Sequence, residues 1–227
     1  ISGKTGYGKQ ITVYYKNKVE EQLNDDSFYQ EIQTNMDKST MKEIKTLITT
    51  FSWSLTDKEK EALIKFETKT SNFYGLPKIH KSKEIQAQIQ QQNDTYVQIH
   101  QPEDLKLRPI IAGPACPTHR LSNFIDIILK PLCTLVPSYI RDDLDFLNHI
   151  PNSVQENSKL VTFDVTSLYT NIPHDFGIKA VQFWVEKHRN LIDSRFNTEF
   201  ILQAIKLVLN NNYFYFNGKN YLQIKGT

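Results

Sequence analysis

Apolar residues recur along this chain at two spacings, and the changes from one to the other divide it into elements. Met41, Ile44, Leu47 and Ile48 keep to one side of a 3.6-residue repeat and predict an amphipathic helix. Leu63, Ile64 and Phe66 predict another, entered at Thr56 or Asp57. Between Pro117 and Val136, Leu121, Phe124, Ile125, Ile128 and Leu129 fall on one side of a longer helix, and Leu144, Phe146 and Leu147 mark a short one after it. Further helices are expected at about residues 175–189 and 197–210. Val19, Leu23, Phe28 and Ile32 also have roughly helical spacing, although Asn24-Asp25-Asp26-Ser27 interrupts them and caps a second turn.

Other stretches read as extended chain. Ile11 to Tyr15 is rich in β-branched and aromatic residues, Phe73 to Ile79 runs through Gly75 and Pro77, and Leu107 to Ile111 surrounds Pro109. Leu160 to Val165 is a continuous apolar run and predicts a buried strand. Tyr213–Phe216 and Tyr221–Ile224 flank Asn217-Gly218, the pair favoured where both residues of a hairpin turn need positive φ. The Gln-rich stretch from Gln86 to Gln101 is expected as a loop or exposed hairpin tip, in the manner of a variable insertion. This order of elements predicts an α+β fold, and no repeat of 20–50 residues is visible.

Composition narrows the class without naming a chemistry. Its 39% hydrophobic and 23% charged content is that of a globular protein. A net charge of +2 gives no bulk warrant for a polyanionic partner. Charge is uneven, however: Lys69, Lys78, Lys81 and Lys83 precede the next acid, Glu84, and make either a local positive field or a solvated loop. Cys116 and Cys133 show no CxxC spacing, and Cys116 with His119 lacks further ligands nearby, so neither a disulfide framework nor a zinc site is indicated. Two free thiols, no signal peptide and no apolar run long enough for a bilayer predict an intracellular protein, in nucleus or cytoplasm, with no membrane partner.

Asp164 is the sharpest residue. A carboxylate at the end of an apolar strand is costly to bury unless it is paired or holds a cation; the alternative is a cap on the next turn through Thr166 or Ser167. Two other motifs are decoys. Gly3 to Lys9 has P-loop-like spacing, but Gln10 stands where Ser or Thr is needed and no strand precedes it. Tyr139-Ile-Arg-Asp142-Asp143 reads as a helix start whose acids suit the dipole.

The neighbours of Asp164 give a resemblance. Phe-Asp-Val-Thr-Ser-Leu-Tyr-Thr-Asn-Ile-Pro, Phe163 to Pro173, resembles the first-aspartate motif of reverse transcriptases, and most closely the version in Penelope-like retroelements. Phe73-Tyr-Gly-Leu-Pro-Lys-Ile-His-Lys81 and Leu107-Arg-Pro-Ile-Ile111 resemble the two fingers motifs of the same enzymes, in the same order. Gln22 to Tyr29 is similar to the family's N-terminal region.

The resemblance implies right-hand polymerase fingers plus an incomplete palm, an antiparallel sheet with packed helices. Residues 1–115 would form the fingers with an N-terminal helical region, and residues 116–227 the start of the palm. It implies two-metal transfer of a deoxynucleotide onto a DNA primer 3′-hydroxyl, copied from an RNA template with two Mg2+ (magnesium) ions. Asp164 would be the catalytic metal ligand and Val165 would offer its backbone carbonyl. Tyr169 matches the aromatic gate beneath the incoming sugar; a core aromatic is the alternative for any lone Tyr. Lys78, Arg108, Tyr169 and Gln223 would bind the nucleotide, Lys78 as a point charge and Arg108 bidentately. His80, Lys81 and Gly226 would face template or primer.

The family's second carboxylate site, an Asp-Asp hairpin, is expected beyond the motif that opens at Gln223, in the remainder of the polymerase chain. One carboxylate holds magnesium weakly, so the 227 residues are expected not to polymerise DNA alone. The alternative from another class is a non-catalytic nucleic-acid-binding remnant, or domesticated fragment, that keeps the basic fingers surface.

Overall fold

The computed structural model describes residues 6–92 and 101–226, with side chains from Thr12 onward. The fold is α+β, with helices around one five-stranded mixed sheet. Helix α1 spans Gly6–Leu23, strand β1 Tyr29–Ile32, α2 Asp37–Thr50, α3 Asp57–Ile64, β2 Ser71–Pro77, α4 Lys83–Gln91 and β3 Leu107–Ala112. Then come α5 His119–Cys133, α6 Asp143–His149, α7 Leu168–Asn171, α8 His174–Lys187 and α9 Thr198–Asn210, before the hairpin of β4 Tyr213–Phe216 and β5 Lys219–Gln223.

The helical body follows the sequence pattern. Ile44, Leu47 and Ile48 of α2, Leu63 of α3, Leu121, Ile125 and Ile128 of α5, Val185 of α8 and Phe200, Ile201 and Ala204 of α9 share one buried cluster. Helix α3 starts at a capping box: the Glu59 N–H donates to the Thr56 hydroxyl at 3.3 Å, and the Thr56 N–H donates to Glu59 Oε2 at 2.7 Å. Arg195 locks this turn from afar, donating to Glu59 Oε2 at 3.0 Å and to the Ser54 carbonyl at 3.3 Å. At the other end of α3, Arg120 of α5 donates to the Ala62 carbonyl at 2.6 Å with its guanidinium 4.3 Å above the Phe66 ring.

The sheet runs β1-β5-β4-β2-β3. Antiparallel pairing was expected throughout; β2 and β4 instead pair in parallel, Ser71 with Phe214 and Asn72 with Tyr215. These strands lie far apart in sequence and are joined through the helices, so no hairpin constrains their direction. The Asn217-Gly218 turn forms as the sequence requires, with φ of 45° and 90°. One sheet face carries Phe73, Phe214 and Tyr221 into an aromatic core against Val19 and Leu23 of α1. Phe73 and Phe214 lie 5.1 Å apart, and Phe214 stacks on Tyr221 at 5.8 Å. The opposite face leaves Tyr74, Leu76 and Tyr215 between 44% and 48% exposed. Polar bonds tie α2 to its surroundings: Thr40 Oγ1 donates to Oδ1 of Asn211, the C-cap of α9, at 2.8 Å, and Asp37 accepts from the hydroxyls of Tyr213 in β4 and of Thr70 at 2.5 and 2.7 Å. Burial and then the hydrogen bond to Asp37 push the Tyr213 hydroxyl far above its usual range.

Four expectations fail locally. Ile11–Tyr15 lies inside α1 and is not a strand. Tyr15, Val19 and Leu23 recur every fourth residue and meet the aromatic core, so the packed face outweighs local β-propensity. The turn after Leu23 opens a strand, not more helix: Ile32 pairs with Asn220 and Tyr29 with Gln223. Part of the Gln-rich stretch is helical, because Ser82 caps α4 by accepting from the Ile85 N–H and Ile85 buries its side chain; residues 93–100 lie outside the described residues. Finally, residues 160–165 form no strand. Leu160 and Phe163 are 96% and 94% exposed, and no described strand supplies the hydrogen-bonding neighbour an extended chain needs. The P-loop-like Gly3–Lys9 enters α1 from Gly6 onward, and its first residues lie outside the described ones.

Candidate functional site

The ends of β2 and β3 gather positive charge. Register pairs Leu76 with Arg108 and Pro77 with Leu107, and the Lys78 N–H donates to the Lys106 carbonyl at 2.9 Å. Lys81 then turns back through a 3-10 turn, its N–H donating to the Lys78 carbonyl at 2.9 Å. Burial first, then Lys81, Arg108 and Lys106, pull the Lys78 ammonium below its ordinary pKa. Among the described residues none of these four cations forms an ion pair. Such a group attracts an anion, because an incoming negative charge relieves mutual repulsion. His80 and Lys81 are exposed beside it. Arg108 lies one position from Leu107 and Pro109 and therefore on the open face of the sheet, with Leu76 and Ile110.

Two clefts open on the α1 side of the sheet. A cleft of about 500 Å³ brings Lys78 and Lys106 together with Glu21 of α1, Asp25 of the turn that follows it, and Thr170 and Asn171 of α7. A neighbouring one of about 420 Å³ joins Pro109 and Ile111 of β3, Tyr169 and Thr170 of α7, and Tyr29 and Gln223 of the β1–β5 edge. Parts of three motifs remote in sequence thus line one concavity.

Tyr169 is 73% exposed and so is not an aromatic of the core. Gln223 is buried and fully engaged: its backbone N–H donates to the Asn212 carbonyl at 2.8 Å, its Oε1 accepts from Asn212 at 3.1 Å, and its Nε2 donates to the Lys225 carbonyl at 2.9 Å. That network fixes the amide at the cleft wall. Gly226 has φ of 83°, and a Cβ there would stand 2.1 Å from the Tyr169 carbonyl oxygen, so glycine is what lets this backbone reach α7.

Asp164 and Val165 are not part of this assembly. Both are exposed, line neither cleft, and Asp164 makes no hydrogen bond or ion pair among the described residues. The capping alternative is likewise not realised: Ser167, at φ 52°, precedes α7 without any side-chain cap. Among the described residues no group of three or more His, Cys, Asp or Glu is placed to hold a metal. A single solvated carboxylate does not meet the octahedral oxygen demand of magnesium, so the described residues alone do not fit that ion. Asp142 does act as a helix cap, accepting from the Asp145 N–H at 2.8 Å, which accounts for that acidic pair.

Sequence reading missed Tyr29, Lys106, Thr170 and Asn171 as cleft residues. Lys106 could have been found two residues before Arg108; Tyr29, Thr170 and Asn171 lie within the strings that carry the resemblance but are uncharged, and nothing in the sequence marks them as cleft residues. No family model matches this chain, and neither curated proteins nor solved structures give a match.

Proposed function

We propose that this chain is the nucleotide-engaging part of an RNA-directed DNA polymerase similar to those of Penelope-like retroelements. In this reading residues 1–115 are the fingers with their N-terminal helical region, and residues 116–227 begin the palm. The observation that carries it is the cleft in which Tyr169, Gln223, Pro109 and Ile111 meet, next to the cleft lined by Lys78 and Lys106, neither of which forms an ion pair among the described residues. Arg108, on the open face of the sheet, lines neither cleft. A deoxynucleoside triphosphate would lay its sugar against the exposed Tyr169 ring and its phosphates toward the cations. His80 and Lys81, with the open sheet face, would border RNA template and DNA primer, and Gly226 would hold the backbone beneath them. In the complete enzyme of this reading Asp164 would be one of the carboxylates that hold magnesium. No transfer chemistry is assigned to the described residues alone.

Titration of the chain with dATP in magnesium should give saturable binding that Lys78→Ala with Lys106→Ala weakens at least tenfold, since each removes a charged hydrogen-bonding group of about 1.5–3 kcal/mol from the cleft. Unchanged affinity in the double variant would reject the reading.

The isolation of Asp164 favours one second reading, a nucleic-acid-binding remnant without chemistry. It predicts salt-dependent binding of an RNA–DNA hybrid with no binding of dATP, and absence of hybrid binding at low salt would reject it.

A further inference from the structure

We infer that His174 is a positioning residue that sets the placement of Tyr169, acting through Gly226; this inference rests on the nucleotide reading above. His174 opens α8, three residues after the end of α7. Its Nε2–H donates to the Gly226 carbonyl at 2.6 Å, while the Gly226 N–H donates back to the Ile172 carbonyl at 3.0 Å. Both polar groups of one peptide residue are therefore held by the segment Ile172–His174. The α-carbon of the same glycine lies so close to α7 that a methyl group would be 2.1 Å from the Tyr169 carbonyl oxygen and 2.5 Å from the Thr170 Cα.

The clasp matters because α7 has little else to hold it. It is a single turn of four residues, none of them buried, and it follows the exposed, strandless stretch that contains Asp164, to which Asn171 Nδ2 ties it by one bond to the Thr166 carbonyl at 3.1 Å. An isolated helical turn does not persist in water. Tyr169 projects from this turn and Gln223 from the strand that leads into Gly226, and both line the same cleft. The two hydrogen bonds to Gly226 thus couple the two walls. Pro173, with φ of −65°, gives the chain between α7 and His174 a fixed bend, so the imidazole is delivered to the carbonyl by rigid geometry. His174 is itself half-buried, lines neither cleft, and touches no ligand in this arrangement.

Two measurements on the whole chain test this. Hydrogen exchange of peptides covering residues 167–173 and 224–226 should quicken roughly fivefold to tenfold in His174→Ala, the scale of one net hydrogen bond. It should return to the wild-type rate in His174→Gln, whose amide nitrogen can occupy the Nε2 position. Should the alanine variant fail to fold, His174→Asn, polar but too short to reach the carbonyl, serves in its place. The second measurement is the ratio of dissociation constants for magnesium-ATP and magnesium-dATP. A loosened Tyr169 should shrink that ratio several-fold in the alanine variant and not in the glutamine variant, whereas a purely structural role would leave it unchanged. Wild-type exchange in His174→Ala overturns the clasp. Faster exchange with an unaltered ratio overturns the positioning role and leaves the nucleotide reading standing. Failure of the wild-type chain to bind either triphosphate overturns both, and equal binding of the two leaves nothing to position and overturns the inference.

Discussion

Two apolar runs of this chain end in opposite environments. Phe200 and Ile201, at the start of the run in α9, are wholly buried, while Leu160 and Phe163 stand almost fully in solvent. Hydrophobicity does not separate them; backbone hydrogen bonding does. Helix α9 satisfies its own N–H and C=O groups and needs only a surface to pack on, which α2, α5 and α8 provide. Residues 160–165 can bury their side chains only after a neighbouring strand has accepted their backbone, and they pair with neither of the sheet's edge strands, β1 or β3. An apolar run therefore predicts burial only where its peptide groups also find partners.

That contrast can be broken by substitution, and the largest effect belongs to Phe200→Ala. It should cost about 3–5 kcal/mol in urea unfolding, because a large side chain leaves a cavity among Phe51, Phe124 and Phe196. Next comes Gly226→Ala, which places a methyl group against the α7 backbone at positive φ. A loss of about 1–3 kcal/mol is expected in the same assay, and a silent substitution would mean that α7 is not held there. Thr56→Ala, which removes the α3 cap, should cost about 1 kcal/mol.

A smaller, pH-dependent effect belongs to Glu59. Its partial burial alone would raise the carboxyl, but hydrogen bonds from Arg195 and Thr56 hold it below its ordinary value of 4.5. A depressed carboxyl stabilises the fold above the unfolded-state pKa and loses that contribution as pH falls through the folded one. Glu59→Gln should therefore flatten the decline in stability below about pH 4.5, as read from unfolding midpoints across the acid range. Phe163→Ala should do least, within about 0.5 kcal/mol, and a loss approaching that of Phe200→Ala would end the comparison.

Much of the body was legible from sequence. The helices at residues 37–50, 57–64, 119–133, 174–187 and 198–210 follow their apolar periodicity, and the Asn217-Gly218 hairpin follows from turn stereochemistry. What was illegible depended on distant partners. Tyr15 is helical because of where Val19 and Leu23 pack, and Tyr29–Ile32 is a strand because β5 arrives beside it. At the candidate site, Lys78, Arg108, Tyr169 and Gln223 stand out by charge or motif. Tyr29 and His174 have roles that neither charge nor motif position reveals, since these come from the register of β1 on β5 and from one backbone carbonyl.

The strand order has a consequence for synthesis. Strand β1 lies beside β5, and β2 is separated from β1 by both strands of the β4–β5 hairpin. On a ribosome β1 emerges well before β5 and must wait, its edge open, until the β4–β5 hairpin has been translated. Closing that gap is a long-range step, slow by nature and exposed to wrong pairing meanwhile. Tyr213 to Gln223 would then act as the keystone, and chains halted before it should be prone to aggregate.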